Sequence, residues 1–471
     1  MDVSLALAVL AGVALALAIA LGVYAFRRRP ARKGSAIAAG VLAALAIVGF
    51  ALSILTIQTP RAPISGAVSL YYVRNHSGNL TLEAASAATG AVRWSYTTRS
   101  AEMTPDLAPL LDHGIFYLAN FTVGDATTSE IRALRASDGK QLWATTITGN
   151  IWRVGGASQE MLATADDVVY GATTGGVFAL RASDGQRLWN TPLSGGPTSP
   201  VRVMDGLVYV AGTTAEINPS QRTTTIYAFD AKTGGARWKY QTQAQNLNRI
   251  ALTSSAVYAA SDTSSIGQSD LYALNAANGT VRWQGQLRYG AYTLTATPGA
   301  LYVNSQAGLA AFDAATGASL WHISQSPMDD LAPVVVAGVV YLTVLDLNAT
   351  GSAGVMQALD ARYGKKLWQT TLDTNAAYVT VDNETIYVGG SSAYALQASD
   401  GHILWSYGGK GQFYQPVVSD GVVFIGSSDP ANTLISNPFD NQNFLNALDA
   451  RTGKLYWRTS GSVENAPLVA S

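Results

Sequence analysis

A chain of 471 residues, 48% of them hydrophobic and only 13% charged, is large enough for several ordinary cores or for one repeat architecture. Its 30 basic and 31 acidic side chains leave a formal net charge of −1 with no basic stripe, which argues against a nucleic-acid partner. With no cysteine, the fold must rest on packing rather than on disulfides.

Two apolar segments come first. Residues 3–26 and 35–57 contain no charged side chain, and at about 1.5 Å per residue each is long enough as a helix to cross a bilayer. The loop between them, 27–34, holds Arg27, Arg28, Arg29, Arg32 and Lys33. Short basic loops stay cytoplasmic, so residues 1–57 read as a two-helix membrane anchor that leaves the rest of the chain on the extracytoplasmic side. A cleavable signal peptide is the competing reading, but Met1-Asp2-Val3-Ser4 lacks the basic start that one built on the first segment would need. Residues 58–65 read as a linker. Five of the 30 basic and one of the 31 acidic residues precede residue 58, so residues 58–471 are mildly acidic, with a net charge of −5.

From residue 66 to 471 one pattern recurs. A glycine is followed four residues later by a tryptophan, and alanines stand three and six residues before the glycine. The tryptophans are Trp94, Trp143, Trp189, Trp238, Trp283, Trp321, Trp368, Trp405 and Trp457, spaced 37 to 52 residues apart. Such a period marks a repeat architecture. Residues 332–368 show one unit: strands at 333–336 and 339–344, a third through Met356 to Asp360, a turn at Tyr363-Gly364 and a fourth at 366–368. Four antiparallel strands cannot bury both faces alone, so the sheets must stack around an axis. The fold class is therefore an all-β propeller of four-stranded blades, with nine units counted and eight blades as the alternative. The glycine supplies the positive φ of a tight hairpin, the alanines admit a close neighbour, and the tryptophan fills the gap between blades. The first unit lacks a first strand and the end of the chain, 465–470, looks like one without a unit. Pairing the two would close the ring.

Tight turns should join first to second and third to fourth strands on one side. The other side should carry the insertions at 212–224, 261–269, 346–354 and 427–443, and the links that precede each first strand. Loops on a rigid scaffold are where binding resides. The links offer Asp106, Trp152, Arg153, Arg249, Tyr292, Asp329, Asp330, Tyr378, Tyr414 and Asn465 as a candidate binding face. The Asp329-Asp330 pair could contribute oxygens to Ca²⁺ or cap a turn. Trp152 could stack on a ligand or plug an interblade gap. No nucleophile elbow, zinc motif or phosphate loop stands in the sequence.

The string Ala447-Leu448-Asp449-Ala450-Arg451-Thr452-Gly453-Lys454-Leu455-Tyr456-Trp457 resembles the pyrroloquinoline-quinone-type propeller repeat. That family usually has eight blades. It holds quinoprotein dehydrogenases and also non-catalytic propellers such as the lipoprotein of the outer-membrane β-barrel assembly machinery. The resemblance implies a non-catalytic scaffold that binds an envelope or surface protein and needs no cofactor. The alternative it implies is a dehydrogenase that uses the quinone with Ca²⁺ to oxidise an alcohol or sugar. Alcohol-oxidising members set two adjacent cysteines against the quinone, and this chain has none. A polysaccharide- or peptide-binding module, suggested by the aromatic links, is the third reading.

Overall fold

The computed structural model describes residues 64, 68–76, 79–99, 109–121, 128–151, 162–213, 223–244, 247–261, 269–324, 331–345, 354–372, 378–408, 411–428, 443–460 and 467–470. The two apolar segments and their basic loop lie outside these residues. Among the described residues no helix is long and apolar enough to cross a membrane.

Nine antiparallel sheets make nine blades. Blade 1 spans 69–99, blade 2 110–148, blade 3 162–192, blade 4 202–242, blade 5 247–287, blade 6 291–323, blade 7 334–372, blade 8 378–408 and blade 9 412–460. In each, strands succeed one another from the inside outwards, and around the centre the first strands of blades 2 to 6 touch in succession, as do those of blades 7 and 8 and of blades 9 and 1. Blade 7 shows how closely the pattern dictates the strands. They run Val334–Val336, Val339–Leu345, Gly354–Asp360 and Lys366–Leu372.

Ring closure uses the expected exchange of termini. Blade 1 starts with its second strand, Ser69–His76, and the last strand of the chain, Leu468–Ala470, pairs with it from Ser69 to Tyr71. The count is thus nine, and the eight-blade alternative falls away. Blade 9 departs from four strands: Gln412–Phe413 and Val417–Ser419 both pair with Val422–Ser428. The break between them contains Pro416, which has no N–H to give a ladder.

One interaction joins every blade to the next. Each motif tryptophan donates its indole N–H to the carbonyl of the motif alanine one blade on, at 2.8–3.1 Å, from Trp94 to Ala136 through Trp405 to Ala450. The ninth bond, Trp457 Nε1 to Ala87 O at 2.9 Å, crosses from the last blade to the first. The motif glycine of that next blade lies flat under the same indole. A Cβ on any of the nine glycines would fall 2.4–2.7 Å from a ring carbon. Glycine here therefore has a docking role as well as the positive φ of 65–73° that its turn requires. A tyrosine of the second strand completes the joint. Tyr71, Tyr170, Tyr209, Tyr258, Tyr302 and Tyr387 donate to the same alanine carbonyls as their blade's tryptophan, at 3.1–3.3 Å. In blade 9 Phe424 takes this place, with ring centroids 6.0 Å from Trp457.

Each third-to-fourth hairpin carries a bulge directly after the alanine paired with the tryptophan, as at Ala228/Phe229. The extra residue turns the strand so that the glycine of the hairpin can meet the neighbouring indole.

Gly185 and Gly206 separate these two roles of glycine. Both have φ above 70°, but a Cβ at Gly185 meets Trp143 at 2.4 Å while one at Gly206 meets nothing within 4 Å. Gly206→Ala is expected to cost about 1–2 kcal/mol from backbone strain alone. Gly185→Ala should cost about 1–3 kcal/mol more from overpacking, with urea unfolding as the measurement.

The joints also predict an alkaline limit. Burial, with a smaller push from nearby carboxylates, raises the phenols of Tyr117, Tyr170 and Tyr209 from 10.0 to about 12. The folded state holds these protons more tightly, so their contribution to stability is complete below pH 10 and is lost as pH rises towards 12. Phenolate absorbance of these tyrosines should therefore appear together with unfolding in that window, rather than before it.

Candidate functional site

The side on which first strands begin is the side the links reach. Four of the candidate residues are described there. Asp106, Trp152, Arg153, Asp329, Asp330 and Asn465 lie outside the described residues.

The four fall into two pairs, each bridging neighbouring blades. Arg249 and Tyr292 sit at the starts of the first strands of blades 5 and 6. Both strands carry a bulge at this point, with register shifts between Leu247 and Arg249 and between Ala291 and Thr293. Bulges re-aim side chains. Here they bring Arg249 Nε to the backbone carbonyl of Tyr292 at 2.5 Å, with Arg249 buried at 8% exposure. The guanidinium is thus committed at least partly to holding two blades together.

Tyr378 opens the first strand of blade 8, and Tyr414 stands in the break of the first strand of blade 9. Their ring centroids are 6.4 Å apart at an interplanar angle of 56°. The reason is local. Tyr378 pairs with Gly389, and a Cβ on Gly389 would strike the carbonyl oxygen of Tyr414 at 2.2 Å. Phe413 donates its backbone N–H to Gly390 O at 2.5 Å, and its ring packs against Gly408. The two tyrosines are half-buried, and burial raises the Tyr378 phenol above its ordinary value.

Reading the links for charged and aromatic side chains found the tyrosines but passed over Phe413 and the glycines that seat them. The signal was present as the pair Gly389-Gly390 at the end of a strand, where a side chain would normally pack. Chemically the described part of this face offers phenol rings, hydroxyls and one committed guanidinium. Among the described residues no three carboxylate, imidazole or thiol groups come together to hold a metal ion.

A profile of the family described as outer membrane protein assembly factor BamB matches residues 58–155, 128–343 and 351–471. The chain belongs to this family. The matched segments cover residues 58–471 except 344–350. Among individual relatives, the chain is 31% identical over 144 residues to outer membrane protein assembly factor BamB of Yersinia pestis, covering 26% of this chain and 33% of that protein. It is 30% identical over 170 residues to the dehydrogenase subunit of the quinone alcohol dehydrogenase of Gluconacetobacter polyoxogenes, covering 30% of this chain and 21% of that protein. The chain therefore matches a third or less of the length of either relative. BamB from Moraxella catarrhalis, a solved structure, is 20% identical with a TM-score of 0.45, over 69% of this chain and 92% of that one.

The two pairs should respond differently to truncation. Arg249→Ala removes a charged donor and leaves the Tyr292 carbonyl short of it, so a loss of about 1.5–3 kcal/mol in chemical unfolding is expected. Tyr414→Ala, at a half-buried break in a strand, should cost clearly less than Arg249→Ala in the same experiment.

Proposed function

We propose that the protein is a non-catalytic scaffold of the cell envelope, anchored by residues 1–57 and displaying its propeller on the extracytoplasmic side to a protein partner. The observation that carries this reading is family membership over nearly all of residues 58–471. The arrangement of the described link residues agrees with it. Arg249 is tied to a neighbouring blade and Tyr378 and Tyr414 form a seated aromatic pair, which suits contact with another protein surface. Tyrosines bring large contact area with little entropy to lose, and are enriched at such interfaces. The loop insertions on the same side would give the partner its specificity. By this reading the protein requires no cofactor.

A second reading is a quinone-dependent dehydrogenase of alcohols or sugars. The 30% identity to the quinone alcohol dehydrogenase subunit favours it. Under it, the candidate oxygens for Ca²⁺ would be those of Asp329 and Asp330.

Crosslinking and co-purification of the full-length chain from its native membranes tests the scaffold. An envelope protein should be recovered in stoichiometric amount, and Tyr378→Ala combined with Tyr414→Ala should reduce recovery about tenfold or more if the pair is an interface anchor. Saturable binding of pyrroloquinoline quinone with Ca²⁺, together with dye-linked oxidation of an alcohol or sugar, would overturn the scaffold in favour of the enzyme.

A further inference from the structure

The joint between blades 5 and 6 differs from its neighbour in one place. The residue two after the motif tryptophan faces the next blade: Thr145, Thr191 and Thr370 donate there to the carbonyls of motif glycines, and two other joints set a tyrosine at this position against the third-strand residue just before the paired alanine. Between blades 4 and 5 these are Tyr240 and Tyr272, with ring centroids 5.7 Å apart. Between blades 1 and 2 they are Tyr96 and Arg132, whose hydroxyl and guanidinium lie 3.3 Å apart. Between blades 5 and 6 the corresponding residues are Gly285 and Ala310. Two large side chains are missing from the same joint.

Gly285 is not required by its backbone. It lies within the strand Val281–Leu287, is absent from the positive-φ residues, and a Cβ on it would meet nothing within 4 Å. Glycine inside a strand costs stability, and where no turn or close contact demands it the gain must lie elsewhere. Ala310 lines a cleft of about 660 Å³, and Gly285 directly precedes the run Gln286 to Tyr289 that forms its blade 5 wall. That volume falls within the range of small-molecule sites.

The lining has a definite chemistry. Phe312, Leu287 and Tyr289 supply apolar and aromatic surface, and Arg288 and His322 supply the basic side chains; the lining contains no carboxylate. Arg288 lies over the Tyr289 ring, 5.7 Å from its centroid. His322 Nε2 lies 3.1 Å from the Ala307 carbonyl, so the imidazole sits against the short turn at the cleft's edge. The neighbouring acid Asp270 accepts from Gln286 at 3.3 Å. An aromatic ring would restore the packing that Tyr240 and Tyr272 provide one joint earlier, and a carboxylate would pair with the guanidinium.

We propose that the cleft between blades 5 and 6, lined by Ala310 next to Gly285 and faced by Arg288, binds a small aromatic carboxylate. The site is separate from the Tyr378–Tyr414 pair and stands whether or not the scaffold reading does.

The test is calorimetric titration of the purified full-length chain with 4-hydroxyphenylacetate and with its neutral amide. The acid should bind, and the amide should bind about tenfold or more weakly, because it lacks the charge-assisted pair. Arg288→Gln should bring the two ligands to similar affinity. Gly285→Tyr with Ala310→Tyr rebuilds the neighbouring joint, and should abolish binding while keeping the thermal midpoint. Ala310→Phe alone, at the lining position of the pair, gives the same readout if the double variant does not fold. No heat up to about 10 mM acid, equal binding of acid and amide, or undiminished binding by the filled variant would each overturn the proposal.

Discussion

Everything in this propeller depends on an indole that crosses from one blade to the next. Its N–H bonds to a backbone carbonyl, its face covers a glycine that can have no side chain, and its flank meets an aromatic ring of its own blade. In an open repeat array such contacts would run out at both ends. Here the ninth indole, Trp457, reaches Ala87, and the strand Leu468–Ala470 fills the place missing from blade 1, so every blade is joined to the next around the ring. Stability is thus repeated nine times through one geometry.

Because the joint uses the same four residues, of three types, each time, its sequence pattern carried most of the fold. Glycine, two alanines and tryptophan at fixed offsets gave the number of units, the hairpin and the interblade position of the indole. The pattern did not reveal that the glycine is pressed under the preceding blade's tryptophan, because that contact joins residues about 40 apart and only the turn was visible locally. Likewise, the break in the first strand of blade 9 arises from Pro416 and from the fit of Tyr414 against Gly389, a contact between two blades. Local propensity has no means of reporting it.

The candidate face was legible in outline and not in arrangement. Topology placed the links on one side, and that is where Arg249, Tyr292, Tyr378 and Tyr414 are found. Which of them meet was set by bulges and by glycines in adjacent blades, features that depend on register across the ring. The cleft beside Gly285 was harder still to read. A glycine and an alanine are unremarkable in sequence, and become informative only when laid over Tyr240 and Tyr272 of the preceding joint. Family membership explains the frame common to all nine blades. What distinguishes this chain lies where a blade departs from that frame.

The central claim is that the nine blades form one closed ring and stabilise one another through it. Urea unfolding of the full chain, monitored by tryptophan fluorescence, beside a chain truncated before Ala466, tests this most directly. If the terminal strand closes the ring, its loss should lower the midpoint and split the transition, with Trp94 and Trp457 exposed before the rest. Superimposable curves for the two chains would contradict closure as the source of the fold's cooperativity.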